Sequence, residues 1–94
     1  MIIVSGKIYG RPGAQQGFVQ ASAAAVAQAR RFVGCRDFVV AADPLEPDRI
    51  NVSEAWESEE ALLGFRGDGP EASVGASLVR AEVLRHVVAS TGPA

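Results

Sequence analysis

The sequence predicts an α+β fold in a single domain spanning residues 1–94, with one antiparallel sheet covered by helices on one face. Three observations carry this. Residues 2–9 and 49–57 alternate β-branched and polar side chains with the period of two that marks half-buried strands. Between them, an Ala- and Gln-rich stretch places apolar residues at helical spacing. Clusters of Gly, Pro and Asp punctuate a chain of 94 residues, long enough for one core and too short for two.

Taken in order, residues 2–9 form a first strand that stops at Gly10-Arg11-Pro12-Gly13. From Ala14 to about Arg31 a helix is expected, with Phe18, Ser22, Val26, Ala29 and Val33 on one face and Gly34 as its C′ residue. Residues 35–42 are strand-like. Asp43-Pro44-Leu45-Glu46-Pro47-Asp48 then makes a hairpin loop, because its two prolines exclude both ladder pairing and helix. Residues 49–57 place Ile50, Val52, Glu54 and Trp56 on one face and Asn51, Ser53 and Ala55 on the other. Ser58 is an N-cap candidate, and Glu59 and Glu60 suit the first turn of a short helix carrying Leu62, Leu63 and Phe65. Gly67-Asp68-Gly69-Pro70 breaks it, and Pro70 opens another short helix through about Val79. Residues 82–90, with Val83, Leu84, Val87 and Val88, read as a last strand.

The order β-α-β-β-α(α)-β is the ferredoxin-like arrangement, which leaves one sheet face bare. Apolar residues on both faces of the first and last strands predict that a second copy covers it, giving a homodimer with two sheets face to face.

Composition narrows the function. Hydrophobic residues make up 48% and charged residues 21%, an ordinary globular balance. The net charge is −2 and no basic stripe exists beyond Arg30-Arg31, which argues against nucleic acid as a partner. The opening MIIVSGKIYG has no leader pattern and no stretch approaches a membrane span, so a cytoplasmic location is expected. Cys35 is the sole cysteine, leaving no intrachain disulfide and no Cys-based zinc site, and no metal-binding His pair is present.

Gly67-Asp68-Gly69-Pro70-Glu71-Ala72 fits a relaxed dinucleotide pattern, but it follows a helix and carries Pro where backbone must approach a pyrophosphate. No phosphate loop or nucleophile elbow is present. His86 reads either as a polar residue of the last strand or as a proton-transfer group. Trp56 is either core or a platform for a ligand ring. Glu54 lies on an otherwise apolar face, so it needs a partner such as Arg49, Arg85 or Lys7, or else it serves a site.

The opening IIVSGKIYGRPG, the pair Gly34-Cys35 and the run DPLEPDRINVSEAWESEEALLGFRGDGP together resemble the antibiotic biosynthesis monooxygenase (ABM) domain family. The most specific element is Glu54, Trp56, Ser58, Glu60, Ala61 and Leu62, in the spacing E-x-W-x-S-x-E-A-L. The resemblance implies a dimeric α+β barrel that oxidises a small aromatic, quinol or anthrone-type compound with O2 and no cofactor. Trp56 matches the family's strand tryptophan, and on this reading Trp56 and Asn51 are expected to be catalytic, with Glu54, Tyr9 and His86 as candidates for substrate contact. Catalytic members carry Asn four residues before the Trp. Here that position is Val52, and Asn51 faces the other side unless a bulge intervenes. The helix after Trp56 has no histidine, which disfavours haem degradation. A non-catalytic small-molecule-binding dimer of the same fold is the competing expectation.

Overall fold

The computed structural model describes residues 1–67 and 78–94. Its elements are β1 (Ile2–Gly10), α1 (Gln15–Arg30), β2 (Cys35–Ala42), β3 (Arg49–Trp56), α2 (Glu59–Arg66) and β4 (Leu78–Val87). The strands form one antiparallel sheet in the order β2-β3-β1-β4, which is the expected ferredoxin-like topology. No helix among the described residues is long and apolar enough to cross a membrane.

Register sorts the side chains. Ile2 lies opposite Trp56, Val4 opposite Glu54 and Ile8 opposite Ile50, so these residues share one face. That face is the buried one: Ile2, Val4, Trp56 and Leu62 of α2 form the core, with Cys35, Phe38, Ala61, Phe65 and Val83 packed against it. The other face carries Ser5, Lys7, Tyr9, Asn51 and Ser53, with Leu84 and His86 from β4. Neither helix covers it, and Leu84 there is 66% exposed.

α2 begins as its sequence predicts. The Ser58 hydroxyl accepts the Ala61 N–H at 3.1 Å, and Glu59 and Glu60 occupy the first turn. Three expectations are corrected. α1 ends at Arg30, close to the expected Arg31, but Val33 does not continue its inner face, because the Arg31 and Phe32 N–H groups bond to Gln28 and Ala29 carbonyls three residues back. This tighter winding sets the Phe32 ring edge-on to Trp56 and Phe65 while leaving it 37% exposed, and leaves Val33, assigned to the inner face, 89% exposed. Gly34 is therefore no helix C′ residue. It has φ 94°, and a Cβ there would stand 2.5 Å from the Ala61 Cβ, so it lets the start of β2 pass close under α2. Finally, β4 starts at Leu78 rather than Glu82, with a register shift opposite Tyr9 and Gly10. The helix expected from Pro70 and the Gly67–Ala72 motif fall largely on residues 68–77, outside those described, and residues 78 and 79 are strand.

Gly6 holds the second close approach. A Cβ there would collide with the Glu82 carbonyl oxygen and lie 2.7 Å from the Val83 Cα, so only glycine lets β4 pair against β1 at this point. Gly17, on α1, has nothing within 4 Å of its virtual Cβ. Gly6→Ala is predicted to lower unfolding free energy by about 2 kcal/mol or more. Gly17→Ala is predicted to raise it by about 0.5–1 kcal/mol. Urea denaturation of both variants checks the pair, and equal effects would contradict the assigned β1–β4 contact.

Candidate functional site

β3 alternation sends Glu54 and Trp56 under the helices. Trp56 is fully buried, and Glu54 is the only buried charged residue among those described, 7% exposed. Three phenylalanines close around the indole. Phe65 of α2 lies 5.4 Å from it, centroid to centroid, Phe32 lies 6.3 Å away and Phe38 of β2 6.4 Å away, the last two edge to face. Phe65 also meets Phe32 at 5.6 Å and Phe38 at 5.9 Å.

Within this ring cluster the Trp56 Nε1–H donates to Glu54 Oε1 at 3.0 Å. A carboxylate on an apolar face must find donors or a counter-charge. Glu54 has the indole and one cation, Arg66 of α2, whose Nη2 stands 3.9 Å from the same oxygen. None of the partners suggested by sequence serves. Lys7 and Arg49 project from the opposite face by register, and Arg85 is bound to Glu59 of α2 at 3.0 Å. Cys35, opposite Trp56, is half-buried. Burial first, then the Asp37 and Glu54 carboxylates, push its thiol above the ordinary value, so it stays protonated at neutral pH.

The remaining candidates lie elsewhere. No bulge interrupts the β1–β3 register, so Asn51 faces away from Trp56, and the structure does not unite the two residues expected to be catalytic. Asn51 belongs to a polar network that ties the β2–β3 hairpin to the sheet: its Nδ2 donates to Asp43 Oδ1 at 2.9 Å and its Oδ1 accepts from Arg49 Nε at 2.6 Å. Arg49 Nη1 bonds Glu46 at 3.0 Å, and Gln15 of α1 donates to the Arg49 and Glu46 carbonyls at 2.7 and 3.1 Å. The Asn51 amide, then the Glu46 and Leu45 backbone N–H groups and the Arg49 charge, hold the Asp43 carboxyl down from 3.8 to about 2. Tyr9 shares this face, with its hydroxyl 3.5 Å from Glu46 and the Arg80 guanidinium 4.3 Å from its ring centroid. His86 is an exposed residue opposite Ile3. A hollow of about 680 Å³ lies on this open face, lined by Ser5, Lys7, Arg49, Asn51, Glu82 and Leu84 among others.

Two places could therefore host chemistry, and they differ in kind. On the open face the polar groups largely satisfy one another. Under the helices, the Glu54 carboxylate has one hydrogen bond and a loose cation, beside flat apolar rings. Arg66, Phe38 and Phe65 stand beside Glu54 or Trp56 and were not among the candidates read from the sequence. The signal available for Arg66 was its place in the last turn of a helix whose apolar face had to cover Trp56. Among the described residues, no group of three His, Cys, Asp or Glu side chains stands close enough to hold a metal ion.

Residues 1–69 match the family described as antibiotic biosynthesis monooxygenase. Several solved structures share the fold. A candidate antibiotic biosynthesis monooxygenase from Deinococcus radiodurans is 14% identical with a TM-score of 0.80, covering 100% of this chain and 98% of its own. One from Nitrosomonas europaea is 13% identical with a TM-score of 0.81, covering 96% of this chain and 100% of its own. One from Chloroflexus aurantiacus is 24% identical with a TM-score of 0.73, covering 98% and 96%. At such identities the likeness speaks for the fold alone. No curated protein matches the chain.

The Asp43 network makes a pH prediction. A carboxyl lowered from 3.8 to about 2 in the folded chain favours folding fully above about pH 4, and that contribution is lost as pH falls through about 2. Asn51→Ala removes the largest cause, so the Asp43 carboxyl should titrate closer to 3.8 and acid unfolding should begin at higher pH. Carbon-13 carboxyl titration by NMR reads both, and an unchanged Asp43 titration would contradict the network.

Proposed function

The chain belongs to the antibiotic biosynthesis monooxygenase family, and from that membership we propose that it oxidises a small electron-rich phenol, quinol or anthrone-type compound with O2, without metal, haem or flavin. The observation that carries this reading is the buried Glu54 carboxylate, held by the Trp56 indole among phenyl rings. Such a group suits general-base work, because hydrogen-bond geometry fixes it and burial shields most of it from water.

Glu54 takes the hydroxyl proton of the bound phenol or enol, leaving the electron pair on the substrate oxygen. The resulting anion is electron-rich enough to react with O2. One oxygen atom enters the substrate as a carbonyl and the other leaves as water, so an anthrone methylene loses two hydrogens and supplies all four electrons that O2 requires. Trp56 orients the carboxylate, while Phe38 and Phe65 supply apolar walls for an aromatic ring. In this reading Asn51, Tyr9 and His86 stand on the open sheet face, outside the reacting centre.

A homodimer forms part of the proposal. The open face keeps Leu84 exposed beside half-buried Ile3 and Ala55, and a second sheet would cover them. One feature favours a second reading, a binding dimer without turnover: Trp56 is fully buried with its N–H engaged, and Val52 stands where catalytic members have Asn.

Oxygen uptake with a panel of anthrones and hydroquinones tests the reading. Wild type is predicted to exceed the buffer rate, Glu54→Gln to lower kcat/KM about 100-fold, and Trp56→Phe to lower it about tenfold. Binding without oxygen uptake across the panel would move the weight to the non-catalytic dimer. Light scattering is predicted to give twice the chain mass at micromolar concentration, and a clean monomer would contradict the paired-sheet arrangement.

A further inference from the structure

Resting on the reading of Glu54 as proton acceptor, we infer that Arg66 recognises the acidic oxygen of the substrate, and that the gap between Glu54 and Arg66 selects ionisable hydroxyl compounds over their ethers.

The argument begins with a distance. Arg66 Nη2 stands 3.9 Å from Glu54 Oε1, too far for a direct hydrogen bond and near enough for strong attraction. Arg49, Arg80 and Arg85 each sit 3.0 Å from a carboxylate. Among the described residues Arg66 makes this one ion pair and no side-chain hydrogen bond. The pair is also layered: the Arg66 side chain is 42% exposed and that of Glu54 9%. The cation therefore stands nearer solvent and the carboxylate beneath it.

Arg66 is held there by more than Glu54. It occupies the last turn of α2, where the helix dipole favours a cation. The following Gly67 has φ 57° and donates its N–H to the Leu63 carbonyl at 3.0 Å, which closes the helix directly after Arg66. Phe65, the residue before it, forms part of the ring wall around Trp56.

A hydroxyl entering this gap meets an acceptor on one side and a planar fork of donors on the other. Its O–H bond breaks, the proton goes to the Glu54 carboxylate, and the oxygen keeps the electron pair and accepts from Arg66. Net charge is zero before and after, since a carboxylate and guanidinium become a carboxylic acid and an oxyanion–guanidinium pair. No uncompensated charge is created in a region that could not solvate one. An ether of the same shape has no proton for Glu54.

Trp56 is the sole tryptophan, so its indole N–H gives a single NMR cross-peak that reports on Glu54. That peak can be followed during titration with 4-nitrophenol and with 4-nitroanisole, in wild type, Arg66→Gln and Arg66→Lys. Wild type is expected to show a saturable shift with the phenol at about tenfold or more higher affinity than with the ether. Arg66→Gln is expected to lose that preference while binding the ether as wild type does, and Arg66→Lys to keep part of it. Urea denaturation confirms that the variants fold. If Arg66→Gln binds the phenol as tightly as wild type, the assignment of Arg66 is overturned and the role of Glu54 stands. If wild type shows no saturable shift with the phenol, both fall. Selectivity for the phenol without any oxygen uptake supports Arg66 and counts against oxygenation alone.

Discussion

The molecule is organised around one hydrogen bond, from the Trp56 indole to the Glu54 carboxylate. A carboxylate removed from water with no partner costs several kcal/mol, on the order of 2–7 even for a neutral polar group. A hydrogen bond to a charged group returns about 1.5–3 kcal/mol, so the indole alone offsets only part of that cost. The Arg66 guanidinium and the partial opening of the carboxylate toward solvent supply the remainder. The rings packed on Trp56 come from the turn after α1, from β2 and from α2, so α2 and the exit of α1 are held over the sheet by side chains that meet the Trp56 indole.

Strand parity divides the protein into two regions with different chemistry. β3 lies between β2 and β1, and its alternate residues feed both regions. Even-numbered positions Ile50, Val52, Glu54 and Trp56 go under the helices, and odd-numbered Arg49, Asn51 and Ser53 go to the open face. On the open face, Asp43, Asn51, Arg49 and Glu46 bind one another and brace the hairpin loop. Under the helices the Glu54 carboxylate, among the described residues, accepts one hydrogen bond and faces one cation at 3.9 Å, which leaves acceptor capacity spare. Spare capacity is what a substrate-binding proton acceptor requires.

Much of this was legible in the sequence. Alternation in residues 49–57 placed Glu54 and Trp56 together and Asn51 on the other side, and Ser58 marked the start of α2. The partner of Glu54 was not legible, because it depends on facts that no single segment carries. Lys7 and Arg49 are excluded by the register between β1 and β3, Arg85 is captured by Glu59, and Arg66 is delivered by the way α2 packs. The end of α1 fell close to the expected Arg31, but Val33 and Gly34 beyond it were misplaced for a similar reason. Helical periodicity ran on to Val33, but bonding to the third residue back tightened the last turn and set the Phe32 ring, not Val33, against Trp56 and Phe65. At β4, residues 78–87 are mostly exposed, so alternation was weak and only pairing with β1 reveals where the strand begins.

The most direct test of this account is the proton chemical shift and solvent-exchange rate of the Trp56 indole N–H, compared between wild type and Glu54→Gln. A charged acceptor makes a shorter and stronger bond than a neutral amide oxygen. The account predicts a downfield, slowly exchanging resonance in wild type that moves upfield and exchanges faster in the variant. The same shift and exchange rate in both proteins would contradict it, because the indole would then not be bound to an ionised Glu54.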